Sequence, residues 1–325
     1  MKDLLLLLSH YPYDPANRET IRRLLGEVKD WDIFVKLVNS HGIIALSAYN
    51  IKEAKLEKQV PEKAMAMLEN GLMQSVVRNA WLAERWKEMN EILLKNGIRH
   101  ILLKGMALEH TIYEAKGLRQ MTDNDILISQ EESMKAWNIL KQNGFEPAEP
   151  KSRLHRKIMF DIGQHMPALI RDGYAVEIHT EPDFIQNKAA TGILNLSEEF
   201  MIGGSSALKL KNDLHLRFLK EHLNRHAGAG ECQLRSLADI KILEPSTTFV
   251  FPEEFYLKPD QKNNPLHRRT HYSETVRSVK KGYRLRFIAG DIFPSVKWMR
   301  RRYGCGTLAA VIRYPQRLGK LVWLL

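Results

Sequence analysis

Two carboxylates stand two residues apart in Asp123-Asn124-Asp125 and open a short apolar run, Ile126-Leu127-Ile128. Side chains at i and i+2 of a strand point to one face. Carboxylates held that way repel each other unless a cation lies between them, and Mg²⁺ takes oxygen ligands while keeping substrate phosphates in its shell. Upstream, Lys104-Gly105 follows the apolar run from Ile98 to Leu103 and precedes a helical pattern from Met106 to Ala115. A glycine at such a strand-to-helix corner leaves the helix N-terminal N–H groups open as a phosphate seat. Lys104 adds a point charge beside it. Downstream, Glu177 lies in Ala175-Val176-Glu177-Ile178-His179, a further strand pattern that puts His179 on the same face. If that strand pairs beside the Asp123–Ile128 run, three carboxylates converge. Such a set holds a second metal ion or takes a proton from an attacking hydroxyl. Each part alone is common: a lone D-x-D is usually a solvated turn. Order, spacing and apolar context together carry the metal-site reading.

These side chains need a sheet to position them. The chain has 325 residues, 44% hydrophobic and 27% charged, the composition of a folded protein with more than one region. Residues 1–97 read as helical. Leu4 to Leu8 is the buried face of a first helix. Glu19 to Val38 has apolar positions at helical spacing, and so does Pro61 to Asn96, where Pro61 suits a first turn and Asn96-Gly97 a C-cap. Residues 98–184 alternate strand, helix, strand, helix and hairpin. The hairpin joins His165–Ile170 to Tyr174–His179 through Asp172-Gly173. Residues 185–257 read as helical again, from Asn212 or Asp213 to Arg225 and from Gln233 to Leu243, with Gly203-Gly204-Ser205-Ser206 as a linker. Residues 258–325 form a basic tail with helices around 272–286 and 294–302. The predicted class is α+β, a small mixed sheet flanked by N-terminal and C-terminal helical regions.

The pattern resembles the nucleotidyltransferase superfamily of the polymerase-β type, and more narrowly its uncharacterised bacterial branch. The likeness rests on Lys104-Gly105-Met106-Ala107-Leu108, on Tyr113, and on Arg119 followed by Asp123-Asn124-Asp125-Ile126-Leu127. Glu177-Ile178-His179 resembles that branch's acid-hydrophobic-His element. His222, His226, Arg235 and Asp239 resemble its helical half, and Phe293-Pro294-Ser295 with Arg301-Arg302-Tyr303-Gly304 resembles its ending. The superfamily's usual Gly-Ser turn is replaced here by Lys104-Gly105, and its third Asp by Glu177. The resemblance implies a nucleotidyltransferase core over 98–184. It implies an NTP triphosphate at Lys104 and Gly105, with Arg119 and His179 contacting phosphate. Mg²⁺ (or Mn²⁺) would be held by Asp123, Asp125 and Glu177, and an NMP transferred to a hydroxyl-bearing acceptor with release of pyrophosphate. The acceptor, a small molecule, protein or RNA, is not readable.

Other features set alternatives. Arg119 reads equally as an ion pair with a local acid. Arg235 and Asp239, at i and i+4, read as a structural ion pair, and His222 and His226 as structural or pocket residues. Two cysteines, Cys232 and Cys305, build no disulfide framework, which points to a cytoplasmic protein. No run reaches the roughly 20 apolar residues of a membrane span. The net charge is +11; residues 258–325 hold 16 Lys/Arg against 3 Asp/Glu, and the rest 33 against 35. The whole excess therefore lies in the tail, which suits a polyanionic partner or a solvated tail. A non-catalytic polyanion-binding protein with vestigial carboxylates is the second reading, and a D-x-D glycosyltransferase the third.

Overall fold

The computed structural model describes residues 1–162, 166–180, 193–228, 233–248, 253–257 and 279–315, with 272, 276, 277 and 319. Two compact units account for the chain, one of residues 1–127 and 183–261, the other of 128–182 and 262–325. Along the chain come α1 to α4 (Lys2–Leu8, Arg18–Gly26, Trp31–Ser40, Ile44–Glu53) and the 34-residue α5 (Glu62–Lys95). Then follow β1 (Ile101–Leu103), α6 (Lys104–Thr111), β2 (Asn124–Leu127), α7 (Gln130–Gln142), β3 (Glu146–Pro147) and α8 (Arg153–Ile162). Strands β4 (Leu169–Arg171), β5 (Tyr174–His179), β6 (Ser197–Ile202) and β7 (Ser205–Leu210) precede α9 (Asn212–Gly228), α10 (Leu234–Leu243) and α11 (Glu253–Leu257). The tail carries α12 (Arg284–Ile292), α13 (Val296–Tyr303) and α14 (Thr307–Ile312). The strands form mixed sheet structure, in the order β2-β1-β7-β6 in the first unit and β3-β4-β5 in the second, and the class is α+β.

In the first unit β1 is buried throughout and pairs antiparallel with β2, Leu103 opposite Asp125. On its other edge β1 runs parallel to β7. A core of Leu4, Leu5, Leu8, Phe34, Leu46 and Leu68 gathers the N-terminal helices with Leu223, Leu234 and Leu237 of α9 and α10. The continuous helix expected over Glu19–Val38 is two helices. Asp30 breaks it by capping α3, its carboxylate accepting from the N–H of Ile33 at 2.9 Å. In the second unit β4 and β5 form the expected hairpin, with φ of 52° at Asp172 and 82° at Gly173, as a two-residue hairpin turn requires.

One stretch corrects the sequence reading. Gly203-Gly204 is not a linker but the turn of the β6–β7 hairpin, with φ of 52° and 85°. Strand β6 ends the sheet and is mostly exposed, so it lacks the apolar alternation that marks a half-buried strand. His165, Cys232, the side chain of His226 and much of the tail lie outside the described residues.

Buried His100 accepts the indole N–H of Trp86 at 3.1 Å, and burial lowers its pKa to about 4. It stays neutral when folded but regains an ordinary value near 6.5 when unfolded. Between those values the unfolded chain binds the extra proton, so stability falls as pH falls. His100→Gln keeps an acceptor that does not titrate. The predicted result is a shallower decline of Tm from pH 6.5 to 4 in the variant than in the wild type. Equal slopes would contradict this.

Candidate active site

The strand-to-helix corner places Lys104 beside Asp125, because Leu103 and Asp125 are register partners. The ammonium of Lys104 lies 2.8 Å from Asp125 Oδ1, and the two side chains are 15% and 6% exposed. A carboxylate so far out of water needs a cation, and Lys104 supplies one. The corner differs from the expected one in a specific way. Its positive φ, 47°, falls on Lys104, while Gly105 has none. A non-glycine residue in this region is strained by about 1–3 kcal/mol and persists only where its surroundings enforce it. Here the backbone N–H of Lys104 donates to Nε2 of buried His215 at 3.1 Å. Burial, with the charges of Lys209 and Arg119, lowers the His215 pKa to about 3, so the imidazole is a neutral acceptor. Gly105 is required for another reason. A Cβ there would lie 2.4 Å from Arg119 Nη1 and 2.7 Å from Met121 Sδ.

Arg119 is buried, and its guanidinium is engaged. Its Nε and Nη2 donate to both oxygens of Asp239 at 2.8–3.0 Å, and the hydroxyl of Tyr113 donates to Asp239 Oδ1 at 3.0 Å. Burial alone would lower the Arg119 pKa, but the Asp239 carboxylate more than offsets it and the net direction is upward. Asp239 therefore pairs with Arg119 and not, as expected, with Arg235. Arg235 instead donates to the carbonyl of Gln120 at 2.5 Å, and burial lowers its pKa to about 10.

The segment between α6 and β2 has no regular structure, yet side chains hold its backbone at successive points. Glu109 accepts from the N–H of Gly117 at 2.5 Å and of Arg119 at 3.3 Å. Asn79 donates to the carbonyl of Arg119 and Arg78 to that of Thr122, both at 2.9 Å. Burial raises the Glu109 pKa, although these N–H bonds work against it. This set of ties delivers the chain to Asp123 and Asp125.

In the second unit, β5 buries Tyr174, Val176 and Ile178 and turns Glu177 and His179 to the opposite face. Glu177 Oε2 and His179 Nε2 are 4.0 Å apart. In the first unit Asp123 is half-buried and accepts the Thr122 hydroxyl at 3.1 Å. The candidate donors are thus the carboxylates of Asp123 and Asp125 in one unit and a carboxylate with an imidazole, Glu177 and His179, in the other. Hard oxygen ligands suit Mg²⁺ or Mn²⁺, and the imidazole admits softer divalent ions as well.

The chain matches the model of a family described as uncharacterised nucleotidyltransferase over residues 27–247. It belongs to that family. The match takes in every predicted site residue and stops short of the basic tail. No curated protein and no solved structure matches the chain.

His215, Glu109 and Asn79 escaped the sequence reading, since a single polar residue in a helix carries no spacing signal that its side chain is buried. Asp239 left a clearer signal. A carboxylate flanked by Leu237, Ala238 and Ile240 needs a buried cation from elsewhere in the chain. Removing that cation through Arg119→Ala is predicted to cost about 3–5 kcal/mol in urea unfolding. Arg119→Met/Asp239→Leu is predicted to recover most of that loss, because no buried charge is left unpaired. A cost under about 1 kcal/mol for the single variant would show that the pair does not hold the segment.

Proposed function

We propose that this family member is a divalent-metal-dependent nucleotidyltransferase that moves an NMP from an NTP to a hydroxyl-bearing acceptor with release of pyrophosphate. One observation carries the reading. A desolvated acid, Asp125, stands at a strained strand-to-helix corner beside a lysine. Strain and desolvated charge of this kind collect at functional sites.

Asp125 and Glu177 would hold Mg²⁺ or Mn²⁺, with Asp123 joining from the entry to the strand. When bound, the metal supplies positive charge to the phosphate oxygens and the leaving pyrophosphate. The protein's own residues supply the rest. Lys104, whose ammonium already sits at the corner, contributes charge to the triphosphate beside Gly105. The Glu177 carboxylate takes the proton of the acceptor hydroxyl, oriented by His179. The acceptor oxygen then attacks the α-phosphorus, the bond to the bridging oxygen breaks, and pyrophosphate leaves. Arg119 acts through the segment it pins, as a positioning residue and not as a phosphate ligand. A single unit charge at the corner serves both partners, since Lys104 neutralises Asp125 until phosphate competes for it.

The test is incubation with each α-labelled NTP and Mg²⁺ or Mn²⁺. Wild type is predicted to bind nucleotide only with the divalent ion. Asp125→Asn is predicted to lose that dependence. Glu177→Gln is predicted to weaken divalent-dependent binding and, at saturating nucleotide and metal, to lower label transfer at least a hundredfold, the usual scale for removing a general base. Equal binding by wild type and Asp125→Asn would defeat the proposal.

A further inference from the structure

The basic tail ends, among the described residues, in two short helices whose surfaces do not match an aqueous environment. Helix α14 is Thr307-Leu308-Ala309-Ala310-Val311-Ile312, and only Ala310 is buried. Leu308 is 76% exposed, Ile312 64% and Val311 48%. Elsewhere in the tail Leu285 is 81% and Phe293 68% exposed. Single exposed apolar residues are ordinary, but an apolar helix that buries one alanine is not. Beside it, α13 carries Arg300, Arg301 and Arg302 in its last turn, all exposed. None of the three pairs with a carboxylate among the described residues. Gly304, at φ 56°, ends α13, and α14 starts at Thr307. Helix α13 and its connection to α14 line an open concavity of about 510 Å³, formed by Lys297, Arg300, Arg301, Gly304, Cys305 and Gly306.

We infer that the α13–α14 face is a docking surface for an anionic phospholipid bilayer. Leu308, Val311 and Ile312 would enter the acyl boundary, and Lys297, Arg300 and Arg301 would receive lipid phosphates in the concavity. Apolar insertion plus basic attraction is the combination that peripheral anchoring requires. Two other occupants fit less well. Single-stranded nucleic acid is gripped by exposed aromatic faces. Here Phe287 packs on His155, Tyr303 lies under Arg313, and the Tyr314 hydroxyl donates to the Pro294 carbonyl, so that among the described tail residues Phe293 alone offers a strongly exposed ring. A symmetric second copy would bring the arginines of one protomer against their own image, which costs energy. The surface lies outside residues 27–247, so the inference is independent of the nucleotidyltransferase reading.

The experiment is co-sedimentation of the full chain with phosphatidylcholine vesicles, with and without phosphatidylserine. The expected result is binding to the anionic vesicles only. Arg300→Gln/Arg301→Gln/Arg302→Gln should weaken it about a hundredfold, given the worth of each basic residue near a charged surface. Leu308→Ser/Ile312→Ser should weaken it and make the residue of binding disappear in high salt. Circular dichroism should show both variants folded, as expected for exposed positions. Absence of vesicle binding would overturn the inference. So would binding unchanged in both variants, tighter binding to single-stranded RNA than to vesicles, or a dimer in solution that Leu308→Ser/Ile312→Ser dissolves.

Discussion

The buried pair of Arg119 and Asp239 is the interaction on which the corner depends. A guanidinium or a carboxylate taken singly into this interior would cost several kcal/mol. Joined through both Asp239 oxygens, with Tyr113 on the same carboxylate, the charges are matched and the Nε and Nη2 donors are engaged. The bond also has a direction. It ties the irregular segment between α6 and β2 to helix α10, while Glu109 and Asn79 hold the Arg119 backbone. The bulk of Arg119 then presses against Gly105 so closely that no side chain fits there. A glycine that reads as a phosphate seat is thus first a packing necessity.

The same constraint explains why strain appears on a lysine. With Gly105 fixed under Arg119 and Met121, the turn from β1 into α6 is made one residue earlier. Lys104 takes the left-handed conformation, held by the N–H bond to His215. That bond works only with a neutral imidazole, and burial keeps it neutral. The lysine side chain is then delivered to Asp125. Backbone strain, a buried neutral histidine and a desolvated ion pair converge on one residue, each limiting where the others can go.

What was legible in the sequence follows from how locally each feature is determined. The helix end at Asn96-Gly97 and the hairpin turn at Asp172-Gly173 are written in a few adjacent residues. So is the core of the D-x-D strand. The β6–β7 hairpin is hard to read because β6, at the edge, shows little apolar alternation, and paired glycines suit a linker as well as a turn. The partner of Asp239 could not be read from spacing. Arg235 is four residues away on the same helix, yet Arg119, distant in the chain, has the geometry to reach both oxygens. Local periodicity offers a candidate, and only the fold decides between a near arginine and a far one. Asp123 shows the same limit: two residues from Asp125 in sequence, it precedes β2 and accepts from its neighbour Thr122.

The central claim is that Asp125 is a metal-bearing carboxylate of a nucleotide site and not merely the partner of Lys104. Crystals grown with Mn²⁺ and a non-hydrolysable NTP, measured at the manganese edge, test it most directly. The account predicts an anomalous peak in contact with Asp125 and Glu177, with the α-phosphate on the same ion. A peak elsewhere, or none, with the Lys104 ammonium still on Asp125 and nucleotide absent from the corner, would contradict it.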